Sequence, residues 1–100
     1  FTGNLPLYVT ENGMAAPDVL RGGVCDDADR IAYFASHLQA CRRAIAEGVP
    51  LAGYMAWSLL DNYEWSLGYE KRFGLVHVDF ATMQRVAKAS WRAWQAALRG

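Results

Sequence analysis

The chain has 100 residues, enough for one domain or a piece of one, and with 53% hydrophobic residues it is no disordered tail. Ten basic residues balance ten acidic ones, so there is neither the basic face that nucleic acid requires nor a polybasic run for a membrane surface. No apolar stretch reaches the roughly 18 residues of a membrane span. Neither nucleic acid nor membrane is therefore expected as a partner. Phe1-Thr2-Gly3-Asn4 lacks the charged and apolar regions of a signal peptide and carries no initiator Met. The expectation is a cytoplasmic segment that begins partway through a longer chain. Cys25 and Cys41 are the only cysteines and lack a CxxC spacing. Unpaired structural thiols are expected, with a disulfide as the alternative, and the redox compartment stays open.

Leu5 to Thr10 is a short apolar run rich in Val, Tyr and Thr, which predicts a strand buried on both faces, with Pro6 at its start. Asn12-Gly13 breaks it with turn residues. Residues 15–24 contain Pro17, Gly22 and Gly23 and read as loop. Asp26, Asp27 and Asp29 suit a helix N-terminus, where carboxylates cap free N–H groups. Ile31, Phe34, Leu38, Cys41 and Ile45 then recur at steps of three and four, one buried helix face. Gly48 and Pro50 stop that helix. Leu51 to Trp57 predicts a second buried strand, and Ser58 to Arg72 a loop with one helical turn. Phe73 to Phe80 reads as a short extended pair or strand. Val86 to Leu98 predicts a final helix with Ala87, Trp91, Trp94 and Leu98 on one side. The order is βαβα, hence an α/β fold with parallel strands covered by helices, in a single unit over 1–100 that the resemblance described below implies is a partial domain.

Glu11 follows the first strand. Ligand sites of parallel α/β folds lie at the C-terminal ends of strands, so Glu11 suits a catalytic carboxylate; position alone leaves open an exposed loop Glu or a helix cap. Trp57 ends the second strand, followed by Asp61, Asn62, Glu64 and Trp65. Aromatic faces pack on the C–H face of a pyranose, and carboxylates and amides pair with its hydroxyls. The alternative is a buried Trp beside a capped turn. His37 reads as a partly exposed surface residue and His77 as a packed or edge-strand one; no His pair stands at metal-ligand spacing, so no metal is expected. Nucleotide-binding glycine motifs and a Gly-x-Ser-x-Gly elbow are missing.

Leu7-Tyr8-Val9-Thr10-Glu11-Asn12-Gly13 resembles the nucleophile motif of glycoside hydrolase family 1, the β-glucosidases and their relatives. Trp57-Ser58-Leu59-Leu60-Asp61-Asn62-Tyr63-Glu64-Trp65 resembles the family's glycone-binding motif. Gly68-Tyr69, Arg72-Phe73-Gly74-Leu75 and Val78-Asp79 are similar to the segment that follows. The resemblance covers nearly the whole chain and implies the seventh and eighth βα units of a (β/α)8 TIM barrel. It implies a retaining β-glucosidase-type hydrolase without cofactor. Glu11 would be the nucleophile, Trp57 the platform under the glycone, Glu64 an acceptor from two sugar hydroxyls, Trp65 an indole N–H donor to a third, and Phe73 the lining near the primary hydroxyl. Phosphosugar-specific relatives replace the acid at position 64, so Glu64 implies an unphosphorylated β-glucoside or related β-glycoside.

The family's acid/base motif, Thr-x-Asn-Glu-Pro, is missing from these residues. Two βα units are a quarter of a barrel of about 250 residues. The isolated chain is expected to be inactive, and its strand edges to seek the rest of the barrel or a second copy of the chain. A non-catalytic, self-associating fragment with weak sugar binding is the alternative.

Overall fold

The computed structural model of the chain describes residues 3–100; Phe1 and Thr2, where the N-terminal reading begins, lie outside the described residues. The chain runs β1 (Leu7–Asn12), α1 (Ala28–Ala46), β2 (Leu51–Ala56), a 3-10 turn (Trp65–Leu67), β3 (Val76–Val78), β4 (Arg85–Ala87) and α2 (Ala89–Leu98). β1 and β2 pair in parallel, Leu7 opposite Leu51 and Asn12 opposite Ala56. Between those ends the register slips twice: Tyr8 faces Gly53, and Val9 faces Tyr54 although Asn12 already faces Ala56. The second slip leaves Thr10 and Glu11 as a bulge on β1, a distortion that bends a strand and redirects its side chains.

The helix-forming period of residues 31–45 gives α1 as expected. Phe34 is its anchor, 3% exposed, edge-on to Trp94 of α2 at 5.3 Å between ring centroids. Trp94 stacks in turn on Tyr54 of β2 at 6.0 Å, while Tyr33 of α1 reaches Asn12 of β1. Both helices thus meet the sheet through the face that carries Asn12 and Tyr54. Ile45, predicted on the buried face, is 51% exposed, because the groove it shares with Leu51, Tyr54 and Leu98 is open.

Three further expectations are corrected. Strand β1 lies two residues later than predicted and none of its residues is buried. Its apolar run suits a strand covered on both faces, but helices cover only one face here; on the other, Tyr8 and Met55 are 59% and 53% exposed. The final helix starts at Ala89, since Val86 and Ala87 belong to β4, which pairs antiparallel with β3. Asp79 turns that hairpin by accepting the N–H groups of Ala81 and Thr82. Asp27 does not cap α1 with its side chain. Its carboxylate instead accepts the N–H and hydroxyl of Ser90 in the first turn of α2, so the acid before one helix caps the other.

Cys25 and Cys41 are free. Burial, with Asp18 adding to it, pushes the Cys25 thiol up to about 11, which keeps it a protonated, packed group at neutral pH. His77 is buried and His37 half-buried, as read. Among the described residues no helix is long and apolar enough to cross a membrane, and no group of three His, Cys, Asp or Glu is placed to hold a metal ion. With a radius of gyration of 15.3 Å, the chain is more open than the roughly 13 Å of a compact 100-residue domain.

Candidate active site

The C-terminal ends of β1 and β2 lie side by side. The N–H of Trp57, one residue past β2, donates to the carbonyl of Asn12 at 2.7 Å. Gly13 lies against the same tryptophan: a Cβ there would stand 1.9 Å from the Trp57 carbonyl oxygen. This pairing brings Glu11 and Trp57 to one rim. Glu11 is exposed and sits within the bulged end of β1 rather than just after the strand. The Trp57–Ser58 peptide bond is cis.

Trp57 and Glu64 meet directly, the indole N–H donating to Oε1 of Glu64 at 3.2 Å. Glu64 is otherwise buried at the start of the 3-10 turn, and among the described residues its second carboxylate oxygen takes no hydrogen bond. Trp65 stands apart, 85% exposed and with φ at +46°. Phe73 is half-buried at the base of the loop, where its carbonyl accepts the N–H of Ser58 at 3.1 Å. The five residues singled out in the sequence therefore occupy one end of the molecule; Glu64 touches Trp57, and Trp65 is largely exposed.

Asp61 and Asn62, read as sugar-facing groups, are used within the protein instead. Asp61 is 4% exposed; its carboxylate takes hydrogen bonds from Lys88 at 2.7 Å, Arg72 at 2.7 Å, the N–H of Gly74 at 3.0 Å and the N–H of Val78 at 3.2 Å. Asn62 donates to the Ser58 hydroxyl and the Leu60 carbonyl. Both fold the 58–74 loop that carries Glu64, Trp65 and Phe73.

Asp61 also starts a buried chain of alternating charge. Lys88 bridges Asp61 and Asp18, the latter at 2.6 Å; Asp18 meets Arg30 at 2.7 Å; Arg30 meets Asp27 at 2.8 Å. With Arg72 on the other side of Asp61, three cations and three carboxylates cancel. Arg30 also donates to the carbonyls of Met14 and Arg72, and the backbones of Ala16 and Arg72 bond each other in both directions. The loops after β1 and β2 are thereby held to each other and to both helices. Sequence reasoning missed Lys88, Asp18 and Arg30, since their partners stand up to 70 positions away. One local signal existed: Arg30 sits four residues before Phe34, on the buried side of α1.

Burial pushes the Asp61 carboxyl up, but hydrogen bonds from Lys88 and Arg72 outweigh it and hold the group below its ordinary 3.8. Burial and Arg72 hold His77 below its ordinary 6.5. In both cases the unfolded chain takes up protons first as pH falls, so stability is full above the unfolded value and declines beneath it. Loss of near-UV circular dichroism under acid titration should accordingly begin gently below pH 6.5 and steepen below pH 3.8. His77→Asn should remove the upper phase only; a stability maximum below pH 5 would contradict this assignment.

The sequence profile described as Glycosyl hydrolase family 1 matches residues 2–99. The chain belongs to glycosyl hydrolase family 1. It is 52% identical over 92 residues to a bifunctional beta-D-glucosidase/beta-D-fucosidase of Bifidobacterium breve, a match that covers 87% of this chain and 20% of that protein. It is 51% identical over 84 residues to a 6-phospho-beta-galactosidase of Clostridium acetobutylicum, covering 84% of this chain and 18% of that one. Among solved structures, the GH1 beta-glucosidase of Exiguobacterium antarcticum B7 superposes with a TM-score of 0.94 at 49% identity, over 96% of this chain and 22% of that one. The chain thus spans about a fifth of the length of the family 1 proteins it matches. The matched proteins are named as glycosidases of this family.

Proposed function

We propose that this chain is the C-terminal portion of a retaining β-glycosidase and supplies the seventh and eighth βα units of its (β/α)8 barrel, with Glu11 as the nucleophile. The observation that carries the reading is the shared rim: an exposed carboxylate on the bulged end of β1, with Trp57 bonded beside it at the end of β2. Glu11 attacks the anomeric carbon as the bond to the aglycone breaks. The aglycone oxygen takes its proton from an acid about 5–5.5 Å away, the spacing of a retaining pair. Water then releases the sugar from Glu11. The acid lies on the part of the barrel outside this chain.

Trp57 forms the platform under the glycone. Glu64, held by the Trp57 indole, accepts sugar hydroxyls; Trp65 donates to another, and Phe73 lines the pocket near the primary hydroxyl. A carboxylate at Glu64 repels a phosphate, so the substrate is an unphosphorylated β-glucoside or related β-glycoside. The 51% identity to a 6-phospho-beta-galactosidase makes a phosphorylated substrate a necessary arm of the test. The open sheet face with Tyr8 and Met55 and the free edges of β1 and β2 are covered by the rest of the barrel; in its absence they drive self-association.

The test compares the purified 100-residue chain with the barrel-length polypeptide that contains it, using aryl β-glucoside and its 6-phosphorylated counterpart. The chain alone should show no turnover and scatter light as an oligomer. The longer polypeptide should cleave the unphosphorylated substrate, and Glu11→Gln should abolish cleavage. Turnover by the chain alone, or full activity of the Glu11→Gln barrel, sinks the reading.

A further inference from the structure

Next to Glu11, Asn12 forms an unusual set of contacts. Its side-chain N–H donates to the Tyr33 hydroxyl of α1 at 3.1 Å, and its side-chain oxygen accepts the Tyr54 hydroxyl of β2. Its main-chain carbonyl accepts the N–H of Trp57 at 2.7 Å. A strand residue normally needs none of these side-chain bonds to stay in its ladder. Here they follow directly after the bulge at Thr10 and Glu11, where the ladder is interrupted. A bulged end is the part of a strand least held by main-chain bonds, so side-chain ties there decide where the neighbouring residue points.

We propose that Asn12 is a positioning residue: bonded to Tyr33 and Tyr54 through its side chain and to Trp57 through its carbonyl, it locks the bulged end of β1 and fixes Glu11 relative to the Trp57 platform. The inference rests on the reading of Glu11 as nucleophile. Tyr33 and Tyr54 come from different elements, so the clamp sets β1 against the helix layer and against β2 at once. Tyr33 is itself restrained by Phe34 at 5.6 Å and by a stacked His37 at 3.9 Å. Tyr54 is restrained by Trp94, and burial pushes its hydroxyl up to about 12, which keeps the proton it donates to Asn12. The two hydroxyls are therefore fixed points, not side chains free to follow a moving strand. Asn12 touches neither sugar nor leaving group; it acts through its neighbour.

The experiment uses the barrel-length polypeptide with Asn12→Ala, Asn12→Asp, Tyr33→Phe, Tyr54→Phe and the double Phe variant. A misplacement of the nucleophile of about 1 Å lowers kcat about 100-fold, and binding to the unchanged Trp57 and Glu64 surface leaves KM close to its starting value. Asn12→Ala and the double Phe variant should both show this pattern, and adding Asn12→Ala to the double Phe variant should change nothing more, because all three remove one unit. Asn12→Asp, which can still accept from both hydroxyls, should recover most of kcat. If Asn12→Ala fails to fold, the two Phe variants carry the same test. A change confined to KM, a fall in melting temperature with kcat intact, or additive effects of Asn12→Ala and the Phe changes overturns the proposal. Glu11→Gln in parallel separates the two claims: if it retains activity, the nucleophile reading fails; if it is dead while Asn12→Ala keeps full kcat, only the clamp fails.

Discussion

Replacing Lys88 by Met should cost the fold about 3–5 kcal/mol, the usual penalty for removing one partner from a buried ion pair. The lysine is completely buried and lies between Asp61 and Asp18. Met fills similar volume, so the loss is chiefly electrostatic: two carboxylates remain in the interior without their shared cation. Asp61 keeps Arg72 and Asp18 keeps Arg30, which sets the cost within that range rather than above it. Urea unfolding followed by tryptophan fluorescence reads the loss. The companion variant Lys88→Met with Asp61→Asn should regain part of it, since one of the stranded charges goes while an acceptor for the Gly74 N–H is kept. A loss below about 1 kcal/mol, the range of an exposed pair, would show that water reaches the network.

Gly13→Ala should damage the site as severely by a different route. The added methyl would lie 1.9 Å from the Trp57 carbonyl oxygen and 3.0 Å from its carbon. Both are backbone atoms and cannot swing aside, so the rims of β1 and β2 must part by about 1 Å, a displacement that can lower the rate about 100-fold. The Trp57 N–H bond to Asn12 weakens in the same movement. Here both strand ends shift, so Trp57 moves along with Glu11, and on the proposed function KM should rise as kcat falls. Steady-state kinetics on the barrel-length polypeptide distinguish this joint change from the kcat-only pattern expected for Asn12→Ala. Wild-type kinetics for Gly13→Ala would mean that the strand ends lie further apart than the structure places them.

The parts of the fold visible in the sequence were those governed by local period. The repeat from Ile31 to Ile45 announced α1, and the apolar runs before Glu11 and up to Trp57 announced two parallel strands. Val86 and Ala87 misled because apolar residues next to a helical period look like its first turn, while their pairing with β3 is a tertiary fact. The strands misled in burial because a run suited to a core covered on two sides says nothing about whether the second cover belongs to the same chain. At the candidate site, Glu11, Trp57, Glu64 and Trp65 were singled out by position and motif, and Phe73 by motif alone. Motifs do not say which polar side chains of a cluster are used up within the protein: Asp61 and Asn62 looked as able to meet a sugar as Glu64, and only their partners in space show them spent on folding the loop. Asp18, Arg30 and Lys88 left almost no trace, since nothing in linear order joins a loop acid to a lysine at the foot of another helix.

The bonds between Ala16 and Arg72, together with the charge chain from Arg72 to Asp27, bear on how such a segment can be transplanted. Each partner in that lattice lies between positions 16 and 90. A recombination joint placed upstream of β1 carries every one of these bonds intact into a new host. A joint between Asp18 and β2, even in the loop before α1 that looks dispensable by sequence, would pair an acid from one parent with a base position from another. The segment is thus inherited whole or not at all, and designers of chimeric family 1 enzymes would treat its two βα units as a single exchangeable block.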